Sequence, residues 1–309
     1  MKLPASLTVL KNRDFRLYWF GQGISLTGTW MQVMAQGWVV TSMTKAAWVL
    51  GALNVTSTFP ILALSMQGGV VADRFEKRRV LIATQVAMML LAFFFAALVF
   101  SGRIALWHIF TMAFLIGLAT AFDFPAAQAF PPELVQPTEI PKAVALMQSI
   151  FHGSRLVGPA VAGILVGRFG EGSAFLANGF SFIAVIFTLL LIHDRNQRGG
   201  SGKRTGGMKE GFRYVKSDPT ALGLIELTAL TTTFVFPFLI VLMLYFVRHV
   251  LRESAEGMGL IMSFSGLGSL IGALVLLFGD TTTFKRWLMG GVNGIGVGLW
   301  GLSISHSVR

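Results

Sequence analysis

Residues 69–79 read Gly69-Val-Val-Ala-Asp73-Arg74-Phe-Glu-Lys77-Arg78-Arg79, between two long apolar runs at 46–72 and 80–102. Four cations and two acids cannot lie in hydrocarbon, where each charge costs several kcal/mol. The stretch therefore reads as a short, water-facing loop joining two membrane helices. Its Lys/Arg excess predicts the cytoplasmic side.

Working outward, the whole composition agrees with that reading. The chain has 309 residues, 54% hydrophobic and 13% charged, against about 25% charged in soluble proteins. The absence of cysteine excludes disulfides and thiolate metal sites. Five scattered histidines show no metal-ligand spacing, so no metal is expected. A net charge of +11 would suggest nucleic acid for a soluble protein. Here it falls mostly in loops between spans, where topology and anionic headgroups account for it, and the lipid bilayer is the expected partner.

Taking about 20 apolar residues per crossing, the spans fall at 17–44, 46–72, 80–102, 104–128, 143–167, 172–192, 219–247, 257–279 and 287–305. All nine must be helical, since open strands leave unpaired backbone groups in lipid. The expected fold class is thus an all-α integral membrane bundle. The first run is too long for a signal-peptide core and reads as span one. With the N-terminus inside, eighteen Lys/Arg face the cytoplasm and six face outward, Arg155 lying within a helix. That bias predicts a cytoplasmic N-terminus.

The sizeable hydrophilic insert, 193–218, reads as a flexible basic linker. It divides 1–192, a six-helix bundle, from 219–309, the first three helices of a second bundle. Within it, Gly202-Lys203-Arg204-Thr205 superficially resembles a phosphate loop, but Gln197 and Arg204 stand where glycine and a hydroxyl are needed. No buried strand can precede it, so no nucleotide is expected. Trp48–Leu81 is weakly echoed by Gly257–Leu288, with Gly279-Asp280 and Lys285-Arg286 in the corresponding loop. Parallel repeats about an axis along the membrane normal explain such an echo. Six spans, a linker and three more predict a fragment of a twelve-helix protein.

Polar residues inside spans are the candidate site. Gln22, Ser25, Thr29, Gln32 and Gln36 recur every three or four residues, one helical face. This face is either polar glue between helices or, the reading we favour, the wall of a hydrated cavity. Asn54, Ser57, Thr58 and Ser65 suggest a weaker polar face on span two, whereas spans three and six read as lipid-facing. Span five carries Gln148, His152, Arg155 and Pro159 on one stripe, with Gly153, Ala160, Gly163 and Gly167 on another. Pro159 would interrupt the helix ladder and give a bend.

Charges within spans are expensive and usually functional. Asp123 in span four and Arg155 in span five are expected to pair across adjacent helices; the alternative is that Asp123 caps near the interface while Arg155 snorkels. Glu226 shares a face with Ala229, Thr233 and Pro237, and a lone buried carboxylate there would be a proton carrier. No other cofactor is implied. No span holds a convergent nucleophile–base set, so no enzyme is expected.

The pattern Gly-x-x-x-Asp-Arg-x-x-(Lys/Arg)-(Lys/Arg) at Gly69, Asp73, Arg74, Lys77 and Arg78 resembles the signature loop between helices 2 and 3 of the major facilitator superfamily, with Glu76 replacing the usual second glycine. Further stretches are similar to its bacterial exporter branch, which includes the enterobactin exporter and macrolide-efflux proteins. They are Asn12-Arg13-Asp14-Phe15-Arg16, Gly28-Thr-Trp30-Met-Gln32, Phe122-Asp123-Phe-Pro125, Pro131-Pro-Glu133 and Asn178. The run from Gly153 through Gly158-Pro159 to Gly163 resembles the glycine-proline motif of fifth helices in that branch. The resemblance implies alternating access by a secondary transporter in a bacterial plasma membrane, carrying a small amphipathic molecule outward. Uptake, or a non-transporting membrane protein, are the alternatives. The resemblance also implies that loop 73–79 latches the cytoplasmic side against the second bundle. The family's fourth-helix arginine has no counterpart in Thr111–Gly117, so proton antiport would rest on other residues.

Overall fold

A computed structural model describes residues 5–192, 217–218, 222–223, 226, 243–278, 290–291 and 294. Six long helices follow one another: α1 (Arg13–Met43), α2 (Ala47–Arg74), α3 (Lys77–Phe100), α4 (Leu106–Leu134), α5 (Ile140–Phe169) and α6 (Gly172–Leu191). A helical turn α7 (Met243–Tyr245) runs into a π-helical segment, Phe246–Val250, and α8 spans Ala255–Phe278. No strand occurs among the described residues. Most of the expected linker 193–218 and of expected spans seven and nine lies outside them.

Among the described residues five helices, α2 to α6 (α5 counted from Pro137), are long and apolar enough to cross a membrane. At 31 residues α1 is long enough, but its amide and hydroxyl stripe lowers its hydropathy. It sits inside the bundle, against α4, α5 and α6. Outward faces are apolar: Trp48, Phe59, Leu62, Phe94 and Phe187 are all exposed, as a lipid-facing surface requires.

Helix α1 starts where Asn12 caps it, its side-chain oxygen accepting from the amides of Asp14 at 3.0 Å and Phe15 at 3.3 Å. The same amide donates to the Leu134 carbonyl at 2.5 Å, fastening the start of α1 to the end of α4. At the bundle end that carries residue 13, Phe15, Tyr18, Phe130 and Leu189 form one packed cluster. Val39, Phe95, Phe175, Leu244 and Met258 belong to another at the opposite end. In lipid such packing works through contact rather than water exclusion, so close helix approach matters.

Two of the close approaches share one device. Pro125 has no N–H to offer the carbonyl four residues back, that of Ala121, and Gly68 of α2 packs against this freed oxygen. Likewise Pro159 frees the Arg155 carbonyl, and a Cβ on Gly266 of α8 would lie 2.7 Å from it. A glycine Cα against a carbonyl that lacks its helical N–H donor allows a weak C–H···O contact and near-touching backbones.

The 69–79 stretch differs from its expected form. Helix α2 continues to Arg74 and α3 begins at Lys77, leaving Phe75 and Glu76 as the connection. Lys77, Arg78 and Arg79 thus occupy the first turn of α3, the positive end of its dipole, where cations are disfavoured. Each finds an acceptor. Lys77 pairs with Glu133 of α4 at 2.5 Å and Arg79 with Glu76 at 2.6 Å. Arg78 donates to the carbonyls of Leu189 at 2.7 Å and Leu190 at 3.2 Å, at the C-terminal end of α6.

Candidate functional site: a polar cavity between α1 and α4

The polar stripe of α1 divides into two roles. Part of it bonds to neighbouring helices. Gln32 accepts from Asn178 of α6 at 2.7 Å, and Ser25 donates to Gln85 of α3 at 3.2 Å. Thr27 bonds Ser154 of α5 at 3.1 Å. Gln22, Ser25, Gln32, Gln85 and Asn178 are all buried. Small residues make room for these bonds, since a Cβ on Gly28 would strike Ser181 and Asn178 of α6.

The rest of the stripe faces two voids. One, of about 400 Å³, is lined by Gln22, Ser25 and Thr29 of α1, Gln85 of α3, Asp123 of α4 and Gln148 of α5. Phe124, Phe151 and Phe182 are among the apolar groups in the rest of its wall. The second, of about 240 Å³, is lined by Thr29, Gln32 and Gln36 with Asn54 and Ser57 of α2. Thr29 is common to both, so the voids follow one another along α1. A larger recess of about 800 Å³ between α1, α5 and α6 is bordered mainly by apolar groups such as Trp19, Phe20 and Ile24. Its apolar walls suit acyl chains.

Asp123 is the charged member of the first void. Its Oδ1 accepts from Thr84 Oγ1 at 2.6 Å and from Gln85 Nε2 at 3.0 Å. Through Gln85, α1, α3 and α4 are joined in one chain running from Ser25 to Asp123. The expected Asp123–Arg155 pair does not form. Asp123 faces α3, whereas Arg155 points the other way, over the Trp30 ring at 5.4 Å and to Ser265 of α8 at 3.4 Å. The cause is layout: α4 packs on α2 and α3, while α5 packs on α1 and α8.

Other expected residues are placed as follows. His152 lines neither polar void; its ring meets Phe151 edge-on and its Nδ1 has no partner. Gly158 packs against Trp30 and Thr27 of α1, and a Cβ added at Gly163 would lie 2.7 Å from the Ala255 carbonyl of α8. Gly153 opens into the apolar recess and meets nothing within 4 Å. Pro159 is buried and α5 runs through it to Phe169 without interruption. Gly69 meets nothing within 4 Å among the described residues; its neighbour Gly68 makes the close contact. Glu226 is helical and exposed, which corrects its expected burial, and its neighbours lie largely outside the described residues. Asp73 and Arg74 are exposed, Lys77 and Arg78 bond to α4 and α6 of the first bundle, and Arg79 bonds Glu76 within the connection.

Sequence reasoning missed the partners on α3 and α6. Thr84, Gln85, Asn178 and Ser181 are isolated polar residues in helices otherwise read as lipid-facing. Their spacing (84–85, and 178 with 181, three apart) would have marked an inward face. It also missed Arg248, which lies over the Trp38 ring at 3.8 Å, joining the π segment to α1.

A family model described as "Transmembrane secretion effector" matches residues 4–283. The chain belongs to this family of the major facilitator superfamily. It is a multi-pass membrane protein of the family's all-helical type. Among its relatives is the staphyloferrin A transporter of Staphylococcus aureus (strain NCTC 8325 / PS 47), 27% identical over 264 residues, which are 84% of this chain and 66% of the relative. An uncharacterised MFS-type transporter of Bacillus subtilis (strain 168) is 25% identical over 268 residues, 82% of this chain and 61% of the relative. Macrolide efflux protein A of Streptococcus pyogenes is 27% identical over 151 residues, 49% of this chain and 37% of the relative. The chain thus spans less than two thirds of the length of each of these relatives.

Proposed function

We propose that this chain is the substrate-binding half, with part of its partner bundle, of a secondary transporter that exports a small amphipathic molecule by alternating access. The observation that carries the reading is the pair of consecutive polar voids along α1, enclosed by helices whose outer faces are apolar. A solute with polar and apolar faces fits walls that combine glutamines with phenylalanines. Family membership and the macrolide efflux relative support the outward direction. The Lys/Arg bias supports a cytoplasmic N-terminus in a bacterial plasma membrane, with 1–192 and 219–309 as separate bundles joined by 193–218.

In that orientation the first void lies toward the cytoplasm. At the far end, Leu244 fills against Gly37 of α1, and Arg248 stacks on Trp38. These two contacts support a reading in which the outer end is the narrowed one and the half of the void holding Asp123 is the loading side. Pairing of Arg155 with Trp30 and Ser265 ties the two bundles at mid-depth. Reconstitution into vesicles tests the reading. Concentrative flux of a fluorescent amphipath is expected in one direction. Absence of flux for any solute, with the protein folded, would refute transport, and inward accumulation by right-side-out protein would refute export.

A further inference from the structure

We infer that the void around Asp123 is a recognition site for a protonated amine carried on an apolar body. This rests on the transport reading and names the solute it would take. Both hydrogen bonds to Asp123 reach Oδ1, and Oδ2 accepts none among the described residues. Gln22 is 7% exposed, lines the same void, and its Oε1 is buried without a donor. Two acceptor oxygens therefore look for donors in one cavity, and one of them belongs to a carboxylate. No Lys, Arg or His is among the described residues lining it. Arg155, the nearest candidate by sequence, is held by Trp30 and Ser265 instead. Leaving the buried Gln22 Oε1 unpaired is costly, and half-buried Asp123 keeps its second carboxylate oxygen for an incoming donor, so the arrangement favours whatever brings N–H groups into the cavity.

An ammonium group supplies up to three donors and the matching charge. A carboxylate or phosphate would meet a like charge and no donor cation. Phe124, Phe151 and Phe182 offer ring faces to the cation and surface to its apolar body. At about 400 Å³ the void has the capacity of a small-ligand pocket.

The chain in lipid nanodiscs is tested with three probes sharing one fluorophore: dansylcadaverine, its neutral N-acetyl derivative, and the carboxylate dansylglycine. The ammonium probe is expected to bind tighter than the acetylated one by about tenfold or more, with the carboxylate weakest. Asp123→Asn should abolish that preference, read as the ratio of ammonium-probe to acetyl-probe affinity in the same variant, and Gln22→Met should reduce it. Equal binding of ammonium and acetyl probes by the wild type, or a preference that survives Asp123→Asn in folded protein, overturns the inference. So does displacement of the ammonium probe by a sodium salt but not a choline salt, which would mark a metal-cation site. Should Asp123→Asn not fold, the wild-type probe series and Gln22→Met still decide. Vesicle flux separates the two readings. Flux of all three probes alike leaves transport standing and removes the amine site, whereas charge-selective binding without flux does the reverse.

Discussion

Replacing Gly68 by alanine pits one glycine against its neighbour. A methyl at Gly68 would drive into the backbone carbonyl of Ala121, with the carbonyl carbon 3.0 Å away and Phe122 Cα 3.4 Å away. Nothing there is the movable tip of a side chain, so α2 and α4 must separate by a sizeable fraction of an ångström along much of their length. Overpacking of this kind costs about 1–3 kcal/mol, and separation also forfeits contacts at Gly117, which packs on Ser57 in the same seam. Against this stands a gain of about 0.5–1 kcal/mol from replacing a helical glycine. The net expectation is a loss of about 1–2 kcal/mol for Gly68→Ala. Gly69→Ala, where nothing lies within 4 Å among the described residues, should keep the gain alone. The two variants should differ by about 2–3 kcal/mol. Equilibrium unfolding in mixed micelles, followed through the seven tryptophans, measures the difference. If Gly69→Ala proves the more damaging of the two, or both are neutral, the proline-freed carbonyl is not what sets this approach.

Asn178→Ala should destabilise by about 1–3 kcal/mol, because it leaves the buried Gln32 oxygen without a donor; adding Gln32→Leu should recover part of the loss in the same unfolding assay. A double-mutant cycle on Lys77 and Glu133 should return a coupling of about 1 kcal/mol, with the Lys77→Glu/Glu133→Lys exchange partly restoring stability; zero coupling would place the two side chains apart. Trp38→Ala removes the ring beneath Arg248 and should speed thiol labelling of a cysteine placed at Asn54, read against the cysteine-free background. An unchanged rate would show that this contact does not close the void.

What the sequence made legible was what lipid enforces. Span ends for the first six helices and the eighth lie within about six residues of their expected places, since charge and hydrocarbon cannot mix. The α1 stripe was visible from its spacing, because a helix repeats its face every three or four residues. Partner choice was not. Asp123 and Arg155 are the only charges in the interiors of expected spans four and five, yet they turn to α3 and α8. Periodicity places a residue on a face but does not say which helix that face meets. The basic stretch misled for a related reason: a run of cations reads as a loop, whereas here acceptors from α4 and α6 let it continue as helix.

The contact between α5 and α8 has a mechanical implication. Gly163 rests on Ala255, Gly259 on the carbonyl of Pro159, and Gly266 on that of Arg155. Along this line the bundles touch through bare main chain, with few interlocked side chains to ratchet over. Such a joint resembles a plain bearing rather than a gear: one rod can glide on the other by fractions of a turn without any rotamer having to flip. Bulk added at any of these three glycines would fit it with teeth; under the transport mechanism proposed above, such a variant should remain folded but stall between two orientations.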